Sequence, residues 1–183
     1  TSDLTTVEIE ATGPIVPGAG LGAGGGSVVL DRGDVLLVSS EFDAQVGASG
    51  SDLSGTRVTS SAPVLVFAGH AGPQVPLGFF AVDHVEESVP PVTALATDYL
   101  VARPWYPLGE PVHFVEVVAT EDGTTLSTSP AVPLPTTLDA GQAATVEATV
   151  DFRLHSTRPV LVARFMVSSQ YVPGELGDPS MDF

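Results

Sequence analysis

Cysteine is absent from the 183-residue sequence, and basic residues are scarce. Without cysteine the chain can form no disulfide, no thiolate nucleophile and no cysteine-ligated zinc site. Six Lys and Arg stand against 22 Asp and Glu, which gives a formal net charge of −16. Such a chain lacks the basic patch that neutralises phosphates, so we expect no nucleic-acid partner.

Long apolar runs are also missing. No stretch approaches the roughly 20 apolar residues that a membrane-spanning helix needs, and no secretory signal is recognisable. Residue 1 is Thr and not an initiator Met, so we expect a processed chain or a fragment of a larger protein. The acidic composition, rich in Thr, Ser and Gly, favours an extracellular or cell-surface location.

Hydrophobic residues make up 43% of the chain and charged residues 15%, which is typical of a folded core. Short runs rich in β-branched residues are separated by 19 Gly and 16 Pro, and this pattern predicts many turns and strands. The predicted fold is all-β and antiparallel, with two related β-sandwich or jelly-roll-like units. Propeller-like four-stranded blades are the alternative. The first unit is expected over 1–97, with a Gly-rich loop at 13–27, and the second over 98–183.

Two segments of the first half predict specific strands. Residues 27–40 (SVVLDRGDVLLVSS) read as strand, turn, strand, because Gly33 allows the positive φ of a tight turn. Residues 53–70 predict two further strands, and the continuous apolar run Val64–Ala68 is typical of a strand that is buried on both faces.

Three short motifs of the first half recur in the same order in the second. Thr5-Thr6-Val7 matches Thr124-Thr125-Leu126, and Leu30-Asp31-Arg32-Gly33 matches Leu138-Asp139-Ala140-Gly141. The third match pairs residues 61–66 (SAPVLV) with residues 157–162 (TRPVLV). The length differences between the matches fall on the Gly-rich segment and on residues 41–52, where loops absorb insertions. The sequence therefore predicts a duplicated β unit.

Residues 52–70 (DLSGTRVTSSAPVLVFAGH) are followed by 83–101 (DHVEESVPPVTALATDYLV) and by 121–126 (EDGTTL). This ordered signature resembles the IgG Fc-binding-protein N-terminal domain family. The matching positions are Asp52, Leu53, Gly55, Thr56, Val58, Pro63, Val64, Val66, Gly69 and His70, then Asp83, His84, Glu86, Pro90, Pro91 and Tyr99. The resemblance implies an extracellular, repeat-built, all-β binding region without catalysis. Because flanking cysteines are absent, a bacterial-type member is expected, and immunoglobulin binding is not carried over.

Residues with possible site chemistry are few. No G-x-S-x-G motif supplies a serine nucleophile and no Asp-x-Asp-x-Asp-Gly loop supplies a calcium site, so an enzyme is not expected. His70 and His84 stand at the two ends of one loop, with Asp83 and Glu86 nearby. These four residues form either a hydrogen-bonded loop clasp or a weakly indicated site for Ca²⁺ or another divalent metal. His113 and His155 are expected to be exposed or partly packed.

Trp105 and Tyr106 stand in a Pro-flanked loop, RPWYPLGEP. They are the predicted contact residues for a ligand, because exposed aromatic side chains anchor proteins and stack on sugars. The alternative is that Trp105 caps the core. The predicted function is an extracellular or cell-surface, non-catalytic binding or adhesion module with a protein or glycan ligand. The alternative function is a structural subunit of an extracellular filament or surface layer, whose partners are copies of itself.

Overall fold

The computed structural model describes residues 2–41, 52–79, 84–105, 112–168 and 170–171. These residues contain only β-strands and one 3-10 turn, Val92–Ala94, and the prediction of an all-β chain is confirmed. All strand pairings between them are antiparallel. The strands are β1 Thr5–Glu10, β2 Gly25–Leu30, β3 Arg57–Ser60, β4 Phe67–His70, β5 Val85–Ser88, β6 Ala96–Val101, β7 His113–Ala119, β8 Thr124–Ser129, β9 Thr137–Leu138, β10 Ala143–Ala148 and β11 Phe152–Met166.

The contacts divide the chain into two compact units, Thr1–Leu65 and Val66–Phe183. We refer to them as the first and the second unit. This division lies earlier in the chain than the boundary expected after residue 97. Strands β4 and β5, which form a two-stranded sheet, therefore belong to the second unit.

The first unit is built on a three-stranded sheet with the order β2-β1-β3. Strand β1 alternates strictly between buried and exposed residues, as a strand with one solvated face does. Its buried side chains pack in a small core, which consists of Val7, Ile9, Ile15, Leu21 and Val28. Ile15 and Leu21 come from the Gly-rich segment, which thus contributes to the core and is more than a flexible connection.

The second unit contains a six-stranded sheet in which β10-β7-β11-β8-β9 are neighbours and β6 also pairs with β11. This sheet is larger than a four-stranded blade, so it does not fit the propeller-like alternative. Strand β11 is 15 residues long, and it pairs with β8 through its first part and with β7 through Val160–Met166. The larger core lies here, with eleven buried residues: Val101, Val115, Val117, Ala119, Leu126, Leu138, Val146, Ala148, Phe152, Leu154 and Val160.

Two predicted strand segments within residues 27–70 are absent from the structure. Residues 35–40, which follow the Asp31–Asp34 turn, pair with no strand of the described chain, and only an isolated bridge joins Ser40 to Ile15. Residues 53–70 contain the two predicted strands, β3 and β4, but β4 begins only at Phe67. Residues 63–66 form no strand, and Leu65 is 70% exposed where the apolar run predicted a strand buried on both faces. A run of apolar residues indicates burial only when a neighbouring strand is present to cover it.

The residues that the sequence matched in pairs make the same hydrogen bonds in both units. Thr5 lies opposite Leu30 in the β1–β2 pair, and Thr124 lies opposite Leu138 in the β8–β9 pair. Asp31 Oδ1 accepts from Leu4 N at 2.8 Å. In the second unit, Asp139 Oδ1 accepts from Gly123 N at 2.9 Å. Three further pairs of bonds are equivalent. Thr6 N donates to Ser61 Oγ as Thr125 N donates to Thr157 Oγ1, and Arg32 N donates to Asp3 Oδ1 as Ala140 N donates to Asp122 Oδ1. Asp31 N donates to Asp34 Oδ2 as Asp139 N donates to Gln142 Oε1.

Candidate binding surface

Trp105 lies beyond the end of β6, and its side chain is 83% exposed. The preceding residues are held in place by two contacts within the second unit. Arg164 Nη1 donates to the carbonyl oxygen of Ala102 at 2.8 Å, and Arg103 N donates to Asp151 Oδ1 at 2.9 Å. These bonds fix the backbone two and three residues before Trp105, whose indole is exposed to solvent and does not cap the core. Tyr106, the second predicted contact residue, lies outside the described residues.

The predicted metal ligands lie around the β4–β5 pair, where His70 is opposite Val85. His84 Nε2 lies 3.1 Å from Glu86 Oε2, and His70 Nδ1 accepts from Gly72 N at 3.0 Å. The described residues include no group of three His, Asp or Glu placed to hold a metal ion. Asp83 lies outside the described residues, so the four-residue site stays a prediction.

A polar surface that the sequence did not single out lies on the outward side of the second unit. Three adjacent strands build it, with β11 between β6 and β8. In one row across these strands His155 lies opposite both Asp98 and Ser127, and in the next row Arg153 lies opposite both Leu100 and Ser129. We call these six residues the outer face. Its Ser127, Ser129, Arg153 and His155, together with Thr128, line a shallow groove of about 360 Å³.

Asp98 organises the charges of the outer face. Its Oδ1 accepts from Nε of Arg153 at 3.1 Å and also from Nη2, and its Oδ2 lies 3.2 Å from His155 Nδ1. The hydrogen bonds from Arg153, and then that from His155, lower the pKa of Asp98 below its ordinary value. Asp98 is therefore ionised at neutral pH and fixes both basic side chains beside the groove.

Leu100 gives the outer face an apolar element. Its side chain is 82% exposed, lies beside Arg153 and comes five residues before Trp105 in the chain. An exposed leucine alone needs no explanation. Here, however, it stands next to a fixed charge pair and two serines. Apolar, charged and hydrogen-bonding groups within one patch are typical of a protein contact surface.

The row Asp98, His155 and Ser127 contains the residue types of a hydrolytic triad, yet its geometry differs from one. No hydrogen bond joins Ser127 to His155 in the described chain, and all three residues lie within paired β-strands. A nucleophilic serine is normally held against its base and placed in a strained turn. The row in the described chain thus does not have the geometry of a hydrolytic triad.

The sequence could have indicated the outer face only in part. Arg153 and His155 alternate with the buried Phe152 and Leu154 in β11, so their outward direction is visible from the pattern. Their neighbours Asp98 and Ser127 are more than 25 residues away along the chain. Only the strand register brings the four together, and register is not fixed by a local pattern.

His113 differs from the sequence expectation. It is fully buried at the start of β7, and neither ring nitrogen has a hydrogen-bond partner among the described residues. Burial lowers the pKa of His113 below its ordinary value near 6.5, the nearby Arg164 lowers it further, and Asp151 partly opposes the shift. His113 is therefore neutral at pH 7 and belongs to the interior of the second unit.

Among the described residues, no helix has the length and apolar character required to cross a membrane. No curated protein and no solved structure has a significant similarity to the chain. A family model described as IgGFc binding protein matches residues 1–183, which is the entire sequence. The match extends the resemblance seen at residues 52–126 to both units. The chain therefore belongs to the IgGFc-binding protein family.

Proposed function

We propose that this chain is a non-catalytic, extracellular or cell-surface adhesion module that binds a protein partner through Trp105 and the outer face. Membership of a family of binding proteins supports a protein ligand. The observation that carries the proposal is the 83% exposure of Trp105, which lies shortly after the hydrogen-bonded residues Ala102 and Arg103 and five residues after the exposed Leu100. Tryptophan is among the residues that contribute most to protein interfaces, because a large ring loses little conformational entropy on binding.

The extracellular or surface location is supported by composition. Basic residues are few, and Thr, Ser and Gly are frequent, a composition that suits a secreted protein. The family name refers to the Fc region of immunoglobulin G, which makes Fc one probe among several and not the assigned ligand. A glycan ligand is the second kind of probe, because an exposed indole also stacks on sugar rings.

The test is binding of the full chain to a panel of extracellular proteins that includes the Fc fragment, and to a glycan array. Trp105→Ala and Leu100→Ala should each weaken the signal of a protein partner at least about tenfold if they are interface anchors. Val29→Ala is the matched control, because Val29 is an exposed apolar strand residue of the first unit, 59% accessible. A partner that binds all three variants equally would refute this surface, and a chain that binds only glycans would refute the protein ligand.

A second candidate function is a structural subunit of an extracellular filament or surface layer, assembled from copies of the chain. It is favoured by the outer edge of β10, Ala143–Ala148, which pairs with no strand of the described residues. An open edge can pair with a strand of another copy. Light scattering with and without EDTA tests it. A large particle would support the structural subunit, and loss of that particle in EDTA would support metal binding by His70, His84, Asp83 and Glu86. A stable monomer in both buffers would contradict the structural subunit.

We also propose that the two units derive from duplication of one β unit. The sequence matches and the equivalent hydrogen bonds support this, because independent sheets would not be expected to place the same donors and acceptors at the same positions.

A further inference from the structure

The groove of the outer face is lined by basic and hydroxyl side chains, and no carboxylate of the described chain lines it. Arg153 and His155 line it with three hydroxyl residues of β8, whereas Asp98, which anchors both basic side chains, does not. The small Ser127 and Ser129 stand beside these two long side chains, so a depression forms between β8 and β11. The groove is thus locally basic on a chain whose formal net charge is −16.

Arg153 has donors left over after it pairs with Asp98. Asp98 accepts from Nε and from Nη2, whereas Nη1 makes no hydrogen bond to any residue that the structure describes. The end of a guanidinium presents parallel N–H groups that match the two oxygens of a carboxylate. Because Asp98 already holds the side chain in place, a second carboxylate can bind there with little further loss of conformational entropy.

Ser127 and Ser129 add two hydroxyl groups to the same groove. Both residues are exposed, and neither hydroxyl makes a hydrogen bond to the described residues. Ser129 lies opposite Arg153 in the strand register, and Ser127 lies opposite His155. A hydroxyl without an intramolecular partner can donate to a carboxylate oxygen. Two adjacent strands therefore offer donors to one anion.

His155 faces Asp98 with one ring nitrogen and leaves the other open. Asp98 is ionised and can only accept, so the 3.2 Å contact places the hydrogen of a neutral imidazole on Nδ1. Nε2 makes no hydrogen bond in the described chain. Since His155 lies between Asp98 and Ser127, a ring with Nδ1 towards Asp98 presents Nε2 away from it. In the neutral ring Nε2 carries a lone pair, which repels a carboxylate, whereas the imidazolium donates to it.

The charges around His155 favour its protonation when an anion binds. Asp98 faces it from β6 and Arg153 precedes it by two residues on β11, while β8 contributes only the uncharged Ser127. A ligand carboxylate beside Arg153 adds a second negative charge to this cluster. Protonation of the imidazole balances that charge, so binding of the carboxylate and uptake of a proton are coupled.

The rest of the chain limits which molecule carries the carboxylate. With 22 acidic and 6 basic residues, the chain repels a polyanion such as a nucleic acid or a densely sulfated glycan. A single carboxylate meets less repulsion. Leu100, 82% exposed, lies opposite Arg153 on the side of β11 away from the serines. An acidic side chain with an apolar neighbour therefore complements the outer face better than a uniformly polar ligand does.

We propose that the groove of the outer face binds a glutamate or aspartate side chain of the protein partner, with Arg153 as the main donor, and that His155 takes up a proton in the process. The inference deepens the proposed function and rests on it. The carboxylate accepts from the guanidinium, from the serine hydroxyls and from Nε2 of the imidazolium, while an adjacent apolar residue packs on Leu100. Binding strengthens as the pH falls, as long as the carboxylate of the ligand stays ionised.

NMR titration of the full chain tests the groove with two peptide mixtures. Both contain pentapeptides with blocked ends, flanking Leu, Val, Phe or Ala, and one fixed central residue, which is glutamate in one mixture and glutamine in the other. The signals followed are Nε–H of Arg153 and Cε1–H of His155. We expect the glutamate mixture to shift both signals, and the glutamine mixture to require an at least about tenfold higher concentration, since it cannot form the charge-assisted bonds.

Variants of the full chain separate the two basic side chains. Arg153→Gln should weaken binding of the glutamate mixture at least about tenfold, and Arg153→Lys by less, because lysine keeps the charge but not the planar fork. Arg57→Gln is the matched control, since Arg57 is an exposed strand arginine of the first unit, and it should bind as the parent does. Thermal unfolding verifies that each variant is folded.

The pH dependence tests the role of His155. From pH 8 to pH 6 the parent chain should bind the glutamate mixture at least about threefold more tightly, whereas His155→Gln should bind it equally at both values. The Arg153 signal reports binding in this variant. An affinity of the parent chain that does not change with pH would overturn the proton uptake.

Three results would overturn the carboxylate site: equal binding of the two mixtures, no shift of either signal at millimolar peptide, or equal weakening by Arg57→Gln. Free N-acetylneuraminic acid and glucuronic acid, two sugar carboxylates, are titrated in parallel. If either shifts the Arg153 and His155 signals at a lower concentration than the glutamate mixture does, a glycan carboxylate replaces the protein side chain.

The protein panel keeps this inference apart from the proposed function. If a partner from the panel binds Trp105→Ala more weakly but binds Arg153→Gln as well as the parent chain, only the carboxylate site is refuted. A panel without any protein partner refutes the proposed function, whatever the peptides do.

Discussion

Thr5 and Thr124 occupy the same place in two different sheets. Both are buried, at 2% and 0% exposure, and each hydroxyl donates to the carbonyl oxygen three residues earlier. Thr5 Oγ1 donates to Ser2 O at 2.8 Å, and Thr124 Oγ1 donates to Glu121 O at 2.6 Å. In each case the bond closes the turn that leads into a strand, at the first residue of β1 and of β8.

Removing this hydroxyl should destabilise both units to a similar degree. Thr5→Val and Thr124→Val keep the shape of the side chain but lose the hydroxyl donor. Each should lower the free energy of unfolding by about 1 kcal/mol or somewhat more, because the carbonyl oxygen loses its hydrogen-bond partner. Urea unfolding measures the change. Thr6→Val is the control, since Thr6 is exposed and its hydroxyl makes no hydrogen bond in the described chain. Unequal losses at Thr5 and Thr124 would argue against equivalent turns.

The residue before each of these threonines has a positive φ, but only one of the two is glycine. Leu4 has a φ of 58° and Gly123 a φ of 65°. A non-glycine residue in this region costs about 1–2 kcal/mol. Leu4→Gly should therefore stabilise the chain by up to about 1 kcal/mol, after the greater freedom of glycine in the unfolded chain is counted. Leu4 is 76% exposed, so little packing is lost.

Gly123→Leu is the reciprocal change. Nothing lies within 4 Å of a Cβ built at Gly123, so the cost arises from backbone strain alone, about 1–2 kcal/mol. Thermal unfolding of both variants against the parent chain measures the two effects. A loss of stability in Leu4→Gly would show that the Leu4 side chain makes contacts that outweigh its strain.

Much of the fold could be predicted from residue patterns. The alternation in β1 and the Asp-Gly turn before β8 indicate strands because a half-buried strand exposes every second side chain. The matched motifs also made Thr5 equivalent to Thr124 and Leu30 equivalent to Leu138, and the structure pairs Thr5 with Leu30 and Thr124 with Leu138 in the same way. These signals are local, since each depends on a few consecutive residues.

The rest depends on which strand lies beside which, and no local pattern fixes that. His113 was expected near the surface because a polar residue at the start of a strand is usually solvated. It is buried because β10 and β11 lie on its two sides, with Ala148 and Met166 opposite it. Residues 63–65 fail in the opposite direction, since an apolar run predicts burial but the described chain supplies no neighbour. The row of Asp98, His155 and Ser127 was likewise visible only after the register was known.

Gly25 is required by the close approach of strand β1. A Cβ at Gly25 would lie 2.1 Å from the carbonyl oxygen of Ile9, and the residue has a φ of +103°. Gly25→Ala should therefore destabilise the chain by about 3 kcal/mol or more, because backbone atoms of the β1–β2 pair must separate. The adjacent Gly24→Ala is a matched control, since a Cβ there meets nothing within 4 Å and no positive φ is needed. A small effect at Gly25, measured by urea unfolding, would show that the two strands can separate at little cost.

The buried and unpaired His113 should make stability depend on pH. Its pKa is lowered in the folded chain, mainly by burial, while in the unfolded chain it returns to about 6.5. Below that pH the unfolded chain binds more protons than the folded chain, so stability falls as pH decreases from about 6.5 towards the folded pKa. The slope contributed by one such group cannot exceed about 1.4 kcal/mol per pH unit.

His113→Leu should remove the pH dependence that His113 contributes to stability. It also eliminates two unpaired buried nitrogens, which should stabilise the chain at pH 7 by about 1–3 kcal/mol if the core accommodates the leucine side chain. His113→Gln is the matched comparison. It does not titrate, so it should lose the pH dependence as well, yet it keeps buried polar atoms and should gain no stability. Urea unfolding at pH 7, 6 and 5 measures all three chains. If the parent and His113→Leu lose stability in parallel between pH 7 and 5, then His113 binds its proton as readily in the folded chain as in the unfolded chain, and the pH dependence arises from other groups.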